Sequence, residues 1–183
     1  MGDALDDHLL YFAYGPDMNP EQISSRCDEP KVFMVAHLPE YALKFFGYAD
    51  RWDGGLESVV ESPGDKVYGV LYKVNYSDAD YLDACQGARL DGTGPYFQFP
   101  VEVIGEDGKT YSVFTYKKST LGQTTLPSSG YVDYIVAGAV ACGLPQDYIE
   151  ALKATENKHT TESLPRKTDI SKVLVGGHAC NCG

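Results

Sequence analysis

The sequence lacks several features that would place it in a common class of protein. It contains no apolar run long enough to form a membrane-spanning helix, and its first residues, MGDALDD, are acidic and unlike a signal peptide. Walker loops, dinucleotide-binding glycine fingerprints and nucleophile elbows of the GxSxG type are missing. We therefore expect neither a helical membrane protein, nor a nucleotide-binding enzyme of those types, nor a serine hydrolase.

Basic residues are also scarce. The chain of 183 residues has 15 Lys and Arg against 26 Asp and Glu, which gives a formal net charge of −11. A field of this sign repels phosphate backbones and anionic membrane surfaces, so we expect no nucleic-acid partner and no membrane partner. A small zwitterionic or cationic ligand remains compatible with the charge.

The cysteines do not form a disulfide framework. They are odd in number and scattered, which favours a reducing, cytoplasmic location. The segment HACNC, from His178 to Cys182, could bind a soft ion such as copper or zinc, but it lacks the paired spacing of a structural zinc site. We predict no metal site, a single domain over residues 1–157, and a C-terminal tail over 158–183.

The remaining pattern predicts a sheet-rich domain that ends in helices. Strands are expected at 9–15, 31–47 with a break near Pro39, 57–62 and 67–75, with SPGDK as a turn between the last two. EDGK should join a hairpin of strands 96–105 and 110–118. Helices are expected after Asn19, from a cap at Ser77 to Gly87, from Tyr131 to Gly143, and after Leu144. Short connections favour a mostly antiparallel or mixed sheet, with closure into a barrel as one option.

Three stretches could carry chemistry. YFAYGPDMN (11–19) is a strand followed by a helix start, where backbone N–H groups can hold a carboxylate or an oxyanion. GGLESVVESPGDKVYGVLYKVN (54–75) begins with two glycines that allow close approach of a ligand. LDACQG (82–87) places a polar side chain at a helix end. Taken singly, each also fits an ordinary turn or cap, and Cys85 fits a buried helical cysteine better than a nucleophile.

Taken in order, these stretches resemble the γ-glutamylcyclotransferase family. That family has YFAYGSN, then GG…SPGD.V.GV.Y, then LD..EG followed by a tyrosine, here Tyr96; the match resumes at Tyr131 and spans about residues 9–155. The resemblance implies an α+β fold, a mixed, mostly antiparallel small β-barrel with flanking helices. It also implies an intramolecular aminolysis that releases 5-oxoproline from a γ-glutamyl amine or peptide without a metal or cofactor.

The resemblance further implies roles for individual residues. Tyr96 would assist catalysis, Tyr131 would hydrogen-bond the ligand or the catalytic group, and Gln86 stands where the family has its proton-transferring glutamate. A small-molecule γ-glutamyl substrate is the implied partner, and a homodimer stays open. The substrate would be held by the loop after the first strand and by the wall facing it, which comprise Tyr14, Gly15, Pro16, Asp17, Met18, Gly55 and Leu56.

Three departures fall in the same implied pocket. Gln86 replaces the glutamate, Pro16 the serine and Asp17 the asparagine, and the segment ARLDGTG before Tyr96 is longer than expected. An engineered change that inactivates the protein explains Gln86 alone, whereas natural divergence explains all three and is favoured. The open functions are a cyclotransferase, a non-catalytic glutamyl-binding relative, and a diverged enzyme in which Asp17 or Asp83 is the substitute acid or base on another amide or pathway intermediate.

Overall fold

Five strands close into a barrel in the computed structural model, which describes residues 8–166. The order around the barrel is β1-β3-β2-β4-β5, and all neighbours are antiparallel except β1 and β5, which run parallel where Tyr11 pairs with Phe114. This confirms the α+β class with a mixed, mostly antiparallel barrel. The strands are β1 (His8–Ala13), β2 (Lys31–Ala49), β3 (Gly54–Asn75), β4 (Tyr96–Gly105) and β5 (Thr110–Lys118).

The helices flank this barrel, and three of the four α-helices described begin at side-chain caps. Asn19 accepts a hydrogen bond from the Glu21 amide at 3.0 Å, and Pro20 occupies the first helical turn, as predicted. The predicted cap at Ser77 is wrong, because the Asn75 side chain already caps the Asp78 amide at 2.7 Å. The elements are a 3₁₀ turn (Pro16–Met18), α1 (Pro20–Arg26), α2 (Tyr76–Gln86), α3 (Ser129–Ala141) and α4 (Gln146–Lys153).

Two predicted strand breaks are also wrong. β2 continues through Pro39, and β3 runs unbroken through the SPGDK segment. Pro39 pairs with Lys66 and Tyr41 with Glu61, so the residues between the two β3 partners bulge opposite Glu40. Glu40 accepts a hydrogen bond from the Gly64 amide at 2.9 Å and adopts a positive φ of 64°. A bulge of this kind bends a long strand around a barrel, and its turn-forming residues resemble a hairpin in sequence.

The core has two parts that share strand β1. Phe12 and Tyr14 pack in a cluster built from strand residues, whereas Tyr11 and Ala13 pack in a second cluster together with residues of the helices. This alternation follows from the two-residue period of a strand. The chain leaves β1 between the two clusters, and the loop that follows therefore lies where barrel and helices meet.

Residues just beyond the predicted domain boundary lie against the barrel domain. The Lys158 amide donates to the Pro127 carbonyl at 2.8 Å, and the Arg166 amide donates to the Arg51 carbonyl at 2.8 Å. The division at residue 157 stays a prediction. The segment His178–Cys182 falls outside the described residues. Over residues 8–166, no helix combines the length and apolarity needed to cross a bilayer.

Candidate active site

The loop after β1 forms one side of a small buried pocket with a cavity of about 170 Å³. Most of the predicted site residues line this pocket or its narrow extension. Met18 does not, because it is fully buried and its carbonyl accepts a hydrogen bond from the Tyr72 hydroxyl at 3.2 Å. Gly55 does not either, since its amide donates to the Leu126 carbonyl at 2.9 Å. The predicted residues that the pocket brings together are Tyr14, Gly15, Pro16, Asp17, Leu56, Gln86, Tyr96 and Tyr131.

Asp17 is enclosed by hydrogen-bond donors. Its Oδ2 accepts from the Tyr11 hydroxyl at 2.8 Å and from Gln86 Nε2 at 3.1 Å. Its Oδ1 accepts from Gln22 Nε2 at 3.0 Å and from Arg26 Nη1 at 2.9 Å. The residue is 2% exposed, so the Arg26 guanidinium offsets a charge that has little access to water. Each carboxylate oxygen already accepts two hydrogen bonds, and Gln86 is held by this cluster.

Glu57, on β3, contributes a carboxyl group to the pocket wall, and the sequence analysis did not single it out. It is 8% exposed, and its Oε2 accepts a hydrogen bond from the Tyr131 hydroxyl. The Tyr96 hydroxyl donates to the main-chain carbonyl of Glu57 at 2.8 Å, which fixes the strand at this point. Burial raises the pKa of the Glu57 carboxyl to about 7, against the opposing effect of the Tyr131 hydrogen bond.

Gly15 is needed because Glu57 lies directly over it. A Cβ atom at position 15 would lie 2.4 Å from Glu57 Oε1, so any other residue there would displace the carboxyl group. The first oxygen of Glu57 therefore faces the β1 loop, while the second is held by Tyr131. Sequence reasoning assigned Gly15 to substrate contact, and the structure adds that it makes room for a carboxyl group.

Tyr131 is itself held firmly in place. It lies in the first turn of α3, where the Ser128 side chain accepts a hydrogen bond from its amide at 3.2 Å. The Trp52 ring packs against the Tyr131 ring with centroids 4.5 Å apart. A donor fixed by a helix cap and by an aromatic neighbour can orient the Glu57 carboxyl without further rearrangement.

Comparison with known proteins agrees with the sequence motifs. The model of the AIG2-like family matches residues 66–152. The γ-glutamylcyclotransferase of Homo sapiens is 34% identical over 172 residues, which cover 91% of this chain and 89% of the human protein. The chain belongs to the γ-glutamylcyclotransferase family. The enzyme of the same name from Mus musculus is 33% identical over 90% of this chain and 88% of its own length.

The fold of the family agrees as well. A solved structure named gamma-glutamyl cyclotransferase superposes with a TM-score of 0.79 at 35% sequence identity, covering 86% of this chain and 93% of that one. A human protein solved as loc79017 superposes with a TM-score of 0.80 at 33% identity, covering 86% and 94%. Sequence and structure together support a γ-glutamylcyclotransferase-like function for this family member.

Two further candidates from the sequence lie away from the pocket of this γ-glutamylcyclotransferase relative. Asp83 does not line it, and its Oδ1 accepts from the Tyr116 hydroxyl at 2.5 Å and from Gln98 Nε2 at 3.2 Å. Cys85 is 1% exposed in α2 and is absent from the pocket wall. Within the described part of the chain, no three His, Cys, Asp or Glu side chains are arranged to hold a metal ion.

Proposed function

We propose that the protein converts a γ-glutamyl amine or peptide into 5-oxoproline and the free amine by intramolecular aminolysis. The observation that carries this proposal is the pocket itself, where a buried carboxyl group with a pKa of about 7 lies against the loop that the family motif identifies. A cavity of about 170 Å³ is smaller than the usual site for a drug-sized ligand. It suits a single glutamyl group, with the leaving amine directed out of the pocket.

The proposed reaction is a ring closure within the substrate. The α-amine attacks the γ-carbonyl carbon, a C–N bond forms, and the bond from that carbon to the leaving nitrogen breaks. Of the three hydrogens on the α-ammonium, one stays on the ring nitrogen and two finish on the released amine, which leaves as an ammonium ion. Because both reacting groups belong to one molecule, the protein must bend the substrate and move protons, and no cofactor is required.

The pocket residues suit these tasks. Arg26 places a cation in a cavity wall whose acidic residue is Glu57, and it would attract the glutamyl α-carboxylate. Gly15 and Pro16 form the loop that would enclose the glutamyl chain, and Leu56 would pack against its methylene groups. We assign Asp17 to holding Arg26 and Gln86 in place, because its oxygens are already occupied by donors.

The test is direct. The purified full chain is incubated with a panel of γ-glutamyl amines and γ-glutamyl peptides, and 5-oxoproline is measured by chromatography. We expect time-dependent release from at least one member, in equal amount to the amine. No release from any member contradicts the proposal.

A second candidate function is non-catalytic binding of a glutamyl compound, and the observation that favours it is the amide of Gln86 held against Asp17. Calorimetry with the same panel separates the two functions. Binding with no 5-oxoproline supports the binding protein, and turnover excludes it.

We also propose a cytoplasmic location. The three cysteines in the described residues, Cys27, Cys85 and Cys142, form no disulfide there, which suits a reducing compartment. Labelling the protein in intact cells with a membrane-impermeant thiol reagent and a permeant one would test this. Modification by the impermeant reagent would contradict it.

A further inference from the structure

We propose that Glu57 is the catalytic proton-transfer residue of this protein and does the work that the family motif assigns to position 86. The inference rests on the proposed function, and it names a group that the motif does not contain. It is carried by geometry, since the Glu57 carboxyl lies at the junction of the two parts of the pocket, next to the substrate loop and within the same wall as Gln86.

The two carboxylate oxygens of Glu57 have different neighbours. The Tyr131 hydroxyl donates to Oε2, which orients the group. Oε1 faces Gly15, so it is directed at the loop where the glutamyl group would be held. A base must be both oriented and within reach of the proton that it removes. This arrangement supplies orientation through one oxygen and leaves the other on the substrate side.

The other candidates in the pocket cannot do this work. An amide such as that of Gln86 has no usable basicity near neutral pH. Asp17 has a carboxyl group, but its oxygens accept four hydrogen bonds, one of them from the Arg26 guanidinium. A proton placed on Asp17 would have to displace one of these donors. Within residues 8–166, the side chain that hydrogen-bonds the Glu57 carboxyl is the neutral Tyr131, so protonation breaks no ion pair there.

The surroundings of Glu57 suit a group that must both accept and release a proton. Its pKa is about 7, because burial, with a smaller contribution from the Asp17 charge, raises it more than Tyr131 and Lys118 lower it. A general base works best when its pKa is near the operating pH. The titratable and charged groups that face it come from five elements and the β1 loop: Tyr14, Asp17, Arg26, Tyr96, Lys118 and Tyr131.

The step balances without any added reactant. The ionised Glu57 carboxylate takes one proton from the α-ammonium, and the freed electron pair on nitrogen forms the bond to the γ-carbonyl carbon. The carboxylic acid then donates that proton to the leaving nitrogen as its bond to carbon breaks. The second hydrogen lost by the attacking nitrogen follows the same path, and Glu57 ends the cycle ionised.

The experiment compares Glu57→Gln with Glu61→Gln. Glu61 lies four residues further along β3 and is exposed, so it is a matched control for the same chemical change on the same strand. With a substrate identified from the γ-glutamyl panel, we expect Glu57→Gln to lower kcat on the order of 10²–10⁴-fold, and Glu61→Gln to stay within twofold of the wild type. Calorimetry should show that Glu57→Gln still binds the substrate within about tenfold, since the amide keeps the shape of the side chain.

The outcomes separate the two proposals. A wild-type protein that releases no 5-oxoproline overturns the proposed function. An active wild type whose Glu57→Gln variant keeps kcat within threefold overturns the present inference alone. If Glu57→Gln does not fold, as judged by near-ultraviolet circular dichroism, Tyr131→Phe gives the answer. Loss of its hydroxyl should move the acid limb of kcat/KM to higher pH, and an unmoved limb overturns the inference.

Discussion

Asp17 and Glu57 are two buried acidic residues in the same pocket, with exposed fractions of 2% and 8%, yet their surroundings differ. Asp17 accepts hydrogen bonds from two amides, a hydroxyl and a guanidinium, and is paired with Arg26 at 2.9 Å. Among the described residues, the side chain that donates to Glu57 is the neutral Tyr131, and burial raises the pKa of Glu57 to about 7. Burial alone therefore does not determine whether a carboxyl group can accept and release protons. The number and charge of its hydrogen-bond donors matter as well.

The largest effect on folding should come from removing the cation beside Asp17. Arg26→Met leaves a buried carboxylate with neutral donors only, and we expect the free energy of unfolding to fall by about 3–5 kcal/mol in urea titrations. Lys153→Met is the matched control, because Lys153 forms an exposed ion pair with Glu150 at 3.0 Å. That change should lower stability by about 1 kcal/mol or less. Equal losses in the two variants would show that Asp17 does not need its cation.

The next largest effect is the contribution of Glu57 to the free energy of unfolding, which depends on pH. Its pKa in the folded protein is about 7 against an ordinary 4.5, so folding favours the protonated form. The resulting stability is fully present below pH 4.5 and is lost as pH rises through 7, with a total on the order of 3 kcal/mol. Glu57→Gln should remove this dependence.

The measurement for that prediction is the free energy of unfolding of both proteins between pH 4.5 and pH 8. Relative to the variant, the wild type should become less stable as pH rises. Parallel curves would show that the Glu57 carboxyl keeps an ordinary pKa, and the contrast with Asp17 would fail.

A smaller effect should follow Gln86→Glu. The new carboxylate would meet Asp17 in place of a donor at 3.1 Å, so two like charges would share a buried site. We expect a loss of about 1–3 kcal/mol at pH 8 that shrinks toward pH 5, where one of the pair takes up a proton. Asp17→Asn in the same chain should relieve most of this loss, because an amide can donate to the new carboxylate. Additive effects of the two changes would show that positions 17 and 86 are not coupled.

Local sequence patterns predicted a large part of the fold. The hairpin of β4 and β5 depends on neighbouring residues around EDGK. Gly87, with a φ of 64°, caps the end of α2, as a glycine after a polar helix end indicates. The turn predicted at SPGDK was wrong because β-bulges and turns favour the same types of residue. The difference between them depends on the partner strand, which local sequence does not contain.

The site was predictable only where the motif matched. Tyr14, Gly15, Asp17 and Gln86 were found because they align with family positions or depart from them, and the structure brings them together. Glu57 lies inside the matched stretch GGLESVV, and one signal was present: it stands two residues before Val59, which is fully buried, and therefore shares its face of β3. Its hydrogen bond from Tyr131, which lies 74 positions away in the sequence, depends on the fold alone.

We propose that Glu57 transfers the protons in place of position 86, and the pH profile of kcat/KM tests this assignment most directly. The base must be ionised, so activity of the wild type should rise with an acid limb at a pKa of about 7 and level off above it. A limb near 4.5, or a rate that does not change between pH 5.5 and pH 8, would contradict the assignment of Glu57.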